Sequence, residues 1–217
     1  WLFNESPAPR DVVINDRWGK ETRGKYGSFY TTEYGLVHGE GVAKYAKTWE
    51  ECRGIGASFG YNRNEDISDY KKASDLIHTL IEIVSKGGNL LLDIGPTGDG
   101  RIPVIMQQRL VEIGEWLKVN GEAIYGTRPW RKVSDGKLVR YTSRWDAVYA
   151  ICLRWPGREL VLDGPKPTRS TAVTLLGLNR PLEWRRVEGK LRIEVPPFSI
   201  DEMPCQHAYV FKLTGVK

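Results

Sequence analysis

The stretch that most constrains the fold is residues 86–100, with the sequence KGGNLLLDIGPTGDG. Gly87 and Gly88 are expected to end a helix, and residues 89–94 are apolar apart from Asp93. Such a run without polar alternation is typical of a strand buried on both faces, as in a parallel sheet under helices. Barrel and open α/β enzymes place their chemistry where such a strand ends in a loop. The alternative is a buried strand entering an ordinary turn.

Two more strands are predicted before this one. Residues 11–16 (DVVIND) form a short β-branched run, which predicts a buried strand with its functional end at residues 15–17. Residues 53–61 (RGIGASFGY) are predicted to form a strand of small residues that ends in aromatic ones. The polar, Gly- and Tyr-rich stretch up to about Thr48 is too long for a simple connection, and its residues 30–34 (YTTEY) are too aromatic for a disordered segment, so it is interpreted as a functional loop.

Two amphipathic helices complete this part of the chain. The spacing of apolar residues predicts one helix over 69–85, stopped by Gly87, and another over 103–119, with Pro103 in its first turn. Strands that alternate with helices and connections indicate an α/β fold. Three or four strands are too few for a closed eight-stranded barrel, which needs roughly 200 residues. The first domain, residues 1–127, is therefore expected to be incomplete.

From residue 128 the pattern changes to short strands separated by Gly, Pro and Asp. Evenly spaced short strands with turn signals predict an antiparallel β-sandwich domain over residues 128–217. The strands are predicted at residues 138–142, 147–153, 159–162, 172–175, 191–195 and 208–213. The predicted fold class is thus α/β followed by all-β.

Composition argues against several classes of protein. The net charge of +5 comes from 32 basic and 27 acidic residues that are scattered along the chain, which indicates solvated faces rather than a nucleic-acid-binding stripe. No apolar run approaches the roughly 20 residues that a membrane span needs. The three cysteines, Cys52, Cys152 and Cys205, are far apart and indicate neither a zinc site nor a disulfide framework. The chain begins at Trp1 without a signal peptide, which is interpreted as a cut inside a larger protein and indicates no compartment.

Two charged residues are candidates for chemistry. The planar fork of donors on Arg17 can hold an anion or hydroxyl groups; the alternative is a structural ion pair with Asp16 or Glu33. Glu33 stands next to tyrosines at 30 and 34, and a carboxyl group in such a partly apolar setting suits a general acid. The alternative for Glu33 is a surface carboxylate.

Three other residues have plainer interpretations. Phe59 lies among small residues, which favours a place in the core. Glu50 and Glu51 indicate the first turn of a helix, where carboxylates suit the helix dipole.

At this point a family resemblance becomes visible, carried by five segments in order along the chain. The chain resembles the α-L-fucosidases of glycoside hydrolase family 29 from its start to about Thr127, with weaker support for that family's C-terminal β-sandwich. The segments are VINDRWG (13–19), TTEYG (31–35), WEECRGIGASFGYNRNE (49–65), SKGGNLLLDIGPTGDGRIP (85–103) and GEWLKVNGEAIYGT (114–127). The resemblance implies the C-terminal part of a (β/α)8-like TIM barrel, and retaining hydrolysis of α-L-fucosides through two carboxyl groups.

The resemblance also implies roles for particular residues. Glu33 matches the general acid/base of bacterial members, with Glu50 as second choice. Arg17 matches an active-site arginine that contacts the sugar and nearby carboxylates. Phe59 matches an aromatic residue that packs against the C5-methyl side of fucose. Asp93 departs from the Asn expected at that strand end.

The first hypothesis is therefore the C-terminal portion of a retaining exo-α-L-fucosidase that acts on fucosylated glycans or glycosides. The resemblance places its nucleophilic Asp upstream of Trp1, so the upstream part of the same domain is a required partner, and this chain alone is expected to be inactive. It implies no metal or organic cofactor, and association into homo-oligomers is left open. The alternatives are a non-catalytic fucose-binding or structural module and, on charge alone, a nucleic-acid binder.

Overall fold

The computed structural model describes residues 1–2, 4–35, 48–178 and 180–217. The N-terminal part holds a parallel sheet of three strands in the order β1-β2-β3, and two helices pack on one of its faces. The elements are β1 (Tyr30–Glu33), β2 (Trp49–Gly54), α1 (Ala73–Ser85), β3 (Gly88–Asp93) and α2 (Val104–Asn120), with short 3-10 helices at Ile67–Asp69 and Gly121–Ala123. In the described residues no helix is long and apolar enough to cross a membrane.

Helix α1 packs on both sides because its apolar residues cover two stripes. Leu76 and Ile83 are buried against residues of the parallel sheet, whereas Ile77 and Ile81 are buried against the C-terminal domain. The helix ends at Ser85, and Gly87 turns the chain away from it: its φ of +83° is one that glycine adopts at little cost, and its amide donates to the Val84 carbonyl. The following residue, Gly88, is free to start β3 at once.

The two faces of the parallel sheet differ in chemistry. Because side chains alternate along a strand and the parallel register aligns the three strands, every second residue shares a face. Trp49 of β2 packs with Ile83 of α1, so its face is the helix-covered one. We call the opposite face the inner face; by register it carries Thr31, Glu33, Glu50, Cys52, Asn89, Leu91 and Asp93.

The C-terminal part is built of two antiparallel sheets. One has five strands in the order β4-β5-β6-β11-β8, and the other has three in the order β7-β10-β9. The strands are β4 (Arg128–Asp135), β5 (Val139–Arg144), β6 (Ala147–Cys152), β7 (Glu159–Leu162), β8 (Pro167–Leu175), β9 (Trp184–Val187), β10 (Lys190–Glu194) and β11 (Tyr209–Val216), with a 3-10 helix at Ile200–Glu202.

The five-stranded sheet is covered on both faces. One face packs against the three-stranded sheet, where Tyr141 and Phe211 meet Leu191 and Ile193 in one core. The other face packs against α1 and α2, and the indole of Trp116 there donates a 2.9 Å hydrogen bond to the Ala208 carbonyl. All six residues of β6 are consequently buried.

The structure corrects the prediction of a strand at residues 11–16. Val13 is 72% exposed, and the segment contributes an isolated parallel bridge between Asn15 and Phe29. The reason lies in Ser28, whose hydroxyl accepts the Ile14 amide while its own amide donates to the Ile14 carbonyl. A side chain thus takes the place of a backbone partner, and no ladder of hydrogen bonds develops there.

The strand predicted at residues 53–61 is also misplaced. The strand is β2, which ends at Gly54, and residues 55–61 form a loop. Glu50 and Glu51 lie inside β2, so their assignment to a helix first turn is wrong. The long stretch before β2 was predicted to lack structure, yet it contains β1; its residues 36–47 lie outside the described part of the chain.

In this chain β3 is buried on one face only, whereas the sequence predicted burial on both faces. Leu90 and Leu92 pack toward the helices, but Leu91 on the inner face is 43% exposed. The two predicted helices are confirmed, as Ala73–Ser85 and Val104–Asn120. All six predicted strands of the sandwich are present. The sequence did not predict β4 and β9, which are rich in basic residues.

Candidate active site

The ends of the three parallel strands bring the candidate residues together. Glu33 ends β1 and pairs in register with Cys52, while Asp93 ends β3 and pairs with Gly54. The C-terminal ends of parallel strands meet at one edge of a sheet, where α/β enzymes hold their reactive groups. The inner face therefore presents its acids at the edge where chemistry is expected.

Arg17 and Glu33 contact each other directly. Arg17 Nη1 donates to Glu33 Oε2 at 2.6 Å, and Arg17 Nε donates to Thr31 Oγ1 at 2.7 Å. The two charged side chains remain 35% and 42% exposed. Ion pairs this exposed contribute about 0–1 kcal/mol to stability, so the structural alternative for Arg17 explains little. The partly apolar setting predicted for Glu33 is wrong, because its partner is a guanidinium.

The buried carboxylate of Asp16 contacts Thr31, which in turn contacts Arg17. Asp16 is 1% exposed and accepts hydrogen bonds from the amide and hydroxyl of Thr31, at 3.0 and 2.9 Å, and from the Gly24 amide at 2.8 Å. Burial raises the pKa of Asp16, but these hydrogen bonds and the nearby Arg23 guanidinium outweigh burial and hold the pKa below its usual value. Asp16 is thus ionised and fully engaged beneath the surface.

The charges of the inner face also affect the pKa values of Glu50 and Cys52. Burial raises the pKa of Glu50, and the charge of Arg17 opposes that rise. Burial also raises the pKa of the Cys52 thiol, with further contributions from the negative charges of Glu33, Glu50 and Asp93. Several carboxyl groups therefore share one small space with the Arg17 guanidinium, an arrangement that can move a proton and hold a polar ligand.

The loop after β2 reaches the same edge and presents Phe59. Phe59 is 40% exposed, so its interpretation as a core residue is wrong. A Cβ atom on Gly54 would lie 2.8 Å from the Tyr34 hydroxyl and 3.1 Å from the Phe59 Cα, which shows how closely these segments approach. The Gly54 amide donates to the Tyr34 hydroxyl at 3.0 Å, and Tyr34 itself has a φ of +47° directly after Glu33.

Hydrogen bonds on the helix-covered face fix the residues on either side of Glu33. Glu51 is fully buried and accepts hydrogen bonds from the Thr32 hydroxyl and from Arg53 Nε. Arg53 Nη2 then donates to the Gly35 carbonyl at 3.1 Å. The residues around Glu33 are therefore fixed from both faces of the sheet.

The inner face is open rather than enclosed. Clefts of 590 and 600 Å³ lie elsewhere, one on the sandwich beside Arg158 and Arg180, the other at the opposite end of the parallel strands beside Gly87. Neither is lined by Arg17 or Glu33, so the candidate site is a group of charged side chains on an open face rather than an enclosed cavity. Within the described ranges, no group of His, Cys, Asp and Glu is arranged to hold a metal ion.

Sequence reasoning paired Arg17 with Glu33 only as one alternative, and it gave Thr31 no role. The signal for Thr31 was available, since it stands two residues before Glu33 and so shares its face in any strand. Asp16 was considered only as an ion-pair partner of Arg17, whereas its contacts are with Thr31, Gly24 and Arg23.

Charged side chains at the C-terminal ends of parallel strands, with helices behind the sheet, are typical of the sites of α/β proteins. The family model described as Alpha-L-fucosidase matches residues 1–122, and the model of the Alpha-L-fucosidase C-terminal domain matches residues 134–214. The chain belongs to the α-L-fucosidase family.

Individual relatives agree with this assignment. The chain is 44% identical to an α-L-fucosidase of Branchiostoma floridae and 41% identical to the human tissue α-L-fucosidase, in each case over its whole length. It covers 49% and 47% of those two proteins, so it spans about half the length of the curated relatives it matches. A crystal structure of the Thermotoga maritima α-fucosidase with a mechanism-based inhibitor matches 93% of this chain and 45% of that chain, with 35% identity and a TM-score of 0.76. The fold is thus the C-terminal part of a TIM barrel followed by a β-sandwich, as predicted.

Proposed function

We propose that this chain is the C-terminal portion of a retaining exo-α-L-fucosidase, which releases fucose from fucosylated glycans or glycosides. The barrel portion is residues 1–127 and the sandwich domain is residues 128–217. In the full-length protein, strands that precede residue 1 cover the inner face and bring the nucleophilic aspartate to it. The exposure of Leu91 beside the inner-face carboxylates supports this arrangement.

The observation that carries the proposal is the 2.6 Å contact between Arg17 and Glu33 at the strand ends. A retaining glycosidase needs one carboxylate as nucleophile and a second carboxyl group that first donates and then accepts a proton. Glu33 takes the second role, because it is partly open to solvent and its inner-face position lets it reach a bound sugar. Glu50, lower on the same face, is the second choice.

The reaction then proceeds in two steps. The upstream aspartate attacks the anomeric carbon and forms a glycosyl ester, while Glu33 protonates the departing glycosidic oxygen. Glu33 next takes a proton from water, whose oxygen attacks the anomeric carbon and returns the aspartate as a free carboxylate. Arg17 donates to Glu33 and to the sugar, and Phe59 packs against the C5-methyl side of fucose. The chemistry uses no redox partner.

Glu33→Ala in the full-length enzyme tests the assignment. Loss of a general acid slows substrates with poor leaving groups by roughly 10²–10⁴-fold. Aryl fucosides with good leaving groups need no protonation, so formation of their glycosyl-enzyme should be much less affected. Their turnover should then be limited by hydrolysis of the intermediate, and added azide, which needs no general base, should accelerate it.

Glu50→Ala is the matched control on the same face. If Glu50→Ala shows the leaving-group dependence and azide acceleration while Glu33→Ala shows neither, the acid/base is Glu50. Fucose binding by the full-length wild-type protein without turnover of any fucoside would instead support the non-catalytic module.

A further inference from the structure

A continuous chain of hydrogen bonds runs from buried Asp16 through Thr31 and Arg17 to Glu33. We propose that Asp16 and Thr31 are positioning residues, which hold the Arg17 guanidinium in the orientation that keeps the Glu33 carboxyl group aimed at the glycosidic oxygen. This inference rests on the proposed function of Glu33. It adds two residues that touch neither the sugar nor the reacting atoms.

The direction of each hydrogen bond follows from the groups involved. A guanidinium can only donate, so Thr31 Oγ1 must accept from Arg17 Nε at 2.7 Å. The hydroxyl has a single proton, and that proton points to Asp16 Oδ1 at 2.9 Å. An ionised carboxylate can only accept, so Asp16 determines which way the hydroxyl turns. The carboxylate therefore presents the Thr31 lone pairs to Arg17.

Burial makes Asp16 a rigid end of this chain. Asp16 also accepts the Thr31 amide and the Gly24 amide, and Arg23 Nε lies 3.5 Å from its Oδ2. The pKa of Asp16 lies below its usual value, since these contacts outweigh the effect of burial. The same contacts that lower the pKa therefore favour the charged carboxylate, which can only accept hydrogen bonds.

Arg17 has most to gain from such support. Its side chain is 35% exposed, and an arginine held by one surface carboxylate alone would keep much of its rotamer freedom. The second contact, from Nε to Thr31, fixes the plane of the guanidinium. With the plane fixed, Nη1 meets Glu33 Oε2 in one geometry instead of several.

Thr31→Val in the full-length enzyme is the decisive variant. Valine has nearly the shape of threonine, and it retains the backbone amide that donates to Asp16, so the strand should stay in place. We expect kcat/KM to fall about tenfold on fucosides with poor leaving groups and less than about threefold on aryl fucosides with good ones. A merely structural role would lower both values by the same factor.

Thr31→Ser and a double-mutant cycle make the test specific. Serine restores a hydroxyl at the same place, so the ratio of the two kcat/KM values should return toward that of the wild type. In an Arg17→Ala background, Thr31→Val should have little further effect on the ratio, because the hydroxyl acts through Arg17. Additive effects in that cycle, or equal losses on both substrates, would overturn the proposal.

Asp16→Asn examines the buried end of the chain. Asparagine keeps the size of aspartate, but its NH2 group can only donate. At the Oδ2 position it would meet the Gly24 amide and push the side chain away from Thr31, and at the Oδ1 position it would meet the Thr31 amide and turn the hydroxyl proton toward Arg17. The leaving-group ratio should change as in Thr31→Val. Should this variant fail to fold, the threonine variants decide. If the loss of kcat/KM in Glu33→Ala depends on the leaving group but the loss in Thr31→Val does not, the positioning role is wrong and the proposed function stands. If the loss in Glu33→Ala does not depend on the leaving group, the proposed role of Glu33 is wrong, and the positioning role is wrong with it.

Discussion

The three-stranded parallel sheet and the five-stranded antiparallel sheet lie on opposite sides of α1, yet they use their faces differently. Strand β6 of the antiparallel sheet is covered on both faces, and its residues Ala150 and Ile151 are fully buried. The parallel sheet buries Trp49 and Leu90 against α1 but carries Glu33, Glu50 and Asp93 on its inner face.

This difference separates stability from chemistry. Burial of apolar surface provides most of the folding free energy, and the sandwich domain has far more of it. Carboxylates and an arginine crowded on one face contribute little to folding. Ionisable groups with perturbed pKa values cluster at functional sites, which favours a functional role for this face. Substitutions in the antiparallel sheet should therefore lower stability with little effect on activity, whereas substitutions at the inner face of the parallel sheet should lower activity with little effect on stability.

The largest effect on stability is expected for Phe211→Ala in β11. Phe211 is fully buried in the core between the two antiparallel sheets. Removing a buried Phe side chain costs about 3–5 kcal/mol, because apolar contacts are lost and a cavity remains. Thermal or denaturant unfolding of the full-length protein would measure this loss, and kcat/KM per folded molecule should change little.

Phe59→Ala is the matched substitution at the site. Phe59 is 40% exposed, so its loss should change the free energy of unfolding by less than about 1 kcal/mol. The same change should weaken kcat/KM on fucosides, since the aromatic face is proposed to contact the sugar. Stability lost at Phe59 and activity lost at Phe211 would reverse the comparison.

The next largest effect on stability is expected where α1 contacts the five-stranded sheet. Glu82 of α1 forms ion pairs with Arg140 of β5 and, at 2.7 Å, with Lys86, and its side chain is only 15% exposed. Glu82→Gln leaves Arg140 without a charged partner and should cost about 1.5–3 kcal/mol, the value typical of hydrogen bonds between charged groups. Glu115→Gln is the control, because the Glu115–Lys118 pair is exposed and should contribute less than about 0.5 kcal/mol.

The contribution of Glu82 should also depend on pH. Burial raises its pKa, but Lys86 and Arg140 outweigh burial, so the pKa in the folded protein is lowered. A lowered carboxyl pKa stabilises the folded state above the unfolded pKa of about 4.3, and that stabilisation is lost as pH falls through the folded value. The difference between wild type and Glu82→Gln should therefore be full at pH 7 and shrink below about pH 4. A difference that grows on acidification would show that the sign is wrong.

The sandwich was more predictable from sequence than the strand ends of the parallel sheet. Short apolar strands between Gly and Pro turns pair locally, so the strand at Glu159–Leu162 was predicted with its observed bounds. The segment at residues 11–16 has equally strong β propensity, but its pairing depends on the Ser28 hydroxyl, a contact fourteen residues away in sequence. Local pattern carries no information on such a contact.

The candidate site was predictable only in part for the same reason. Family resemblance indicated Arg17, Glu33 and Phe59, and their roles remain predictions. The support from Asp16 through Thr31 is a matter of hydrogen-bond direction across fifteen residues, which spacing cannot indicate. Asp93 was singled out as a departure from the family pattern, and the structure places it on the inner face near Cys52.

Gly95→Ala should show how the site depends on close backbone contacts. A Cβ atom on Gly95 would lie 2.2 Å from the Tyr61 amide nitrogen and 2.5 Å from the Gly60 carbonyl carbon, so the loop that carries Phe59 must move. Overpacking of this kind costs about 1–3 kcal/mol, and the displaced loop should lower kcat/KM as well. Gly98→Ala is the control, because a Cβ atom there meets no atom within 4 Å in the described residues. Equal effects at both positions would contradict the argument.

The smallest effect is expected at the hairpin between β9 and β10, at the edge of the three-stranded sheet. Its two loop residues, Glu188 and Gly189, have φ values of +51° and +77°, which define a turn that favours Asn-Gly. Glu188→Asn should therefore raise the free energy of unfolding by roughly 0.5 kcal/mol, since Asn tolerates a positive φ better than Glu. Glu183→Asn, at an exposed position just before β9 and without a positive φ, should give no such gain. The five-stranded sheet and α1 lie between this hairpin and the parallel sheet, so a gain in stability here should leave the leaving-group dependence of catalysis unchanged. A change in that dependence would mean that the sandwich and the site are coupled through α1.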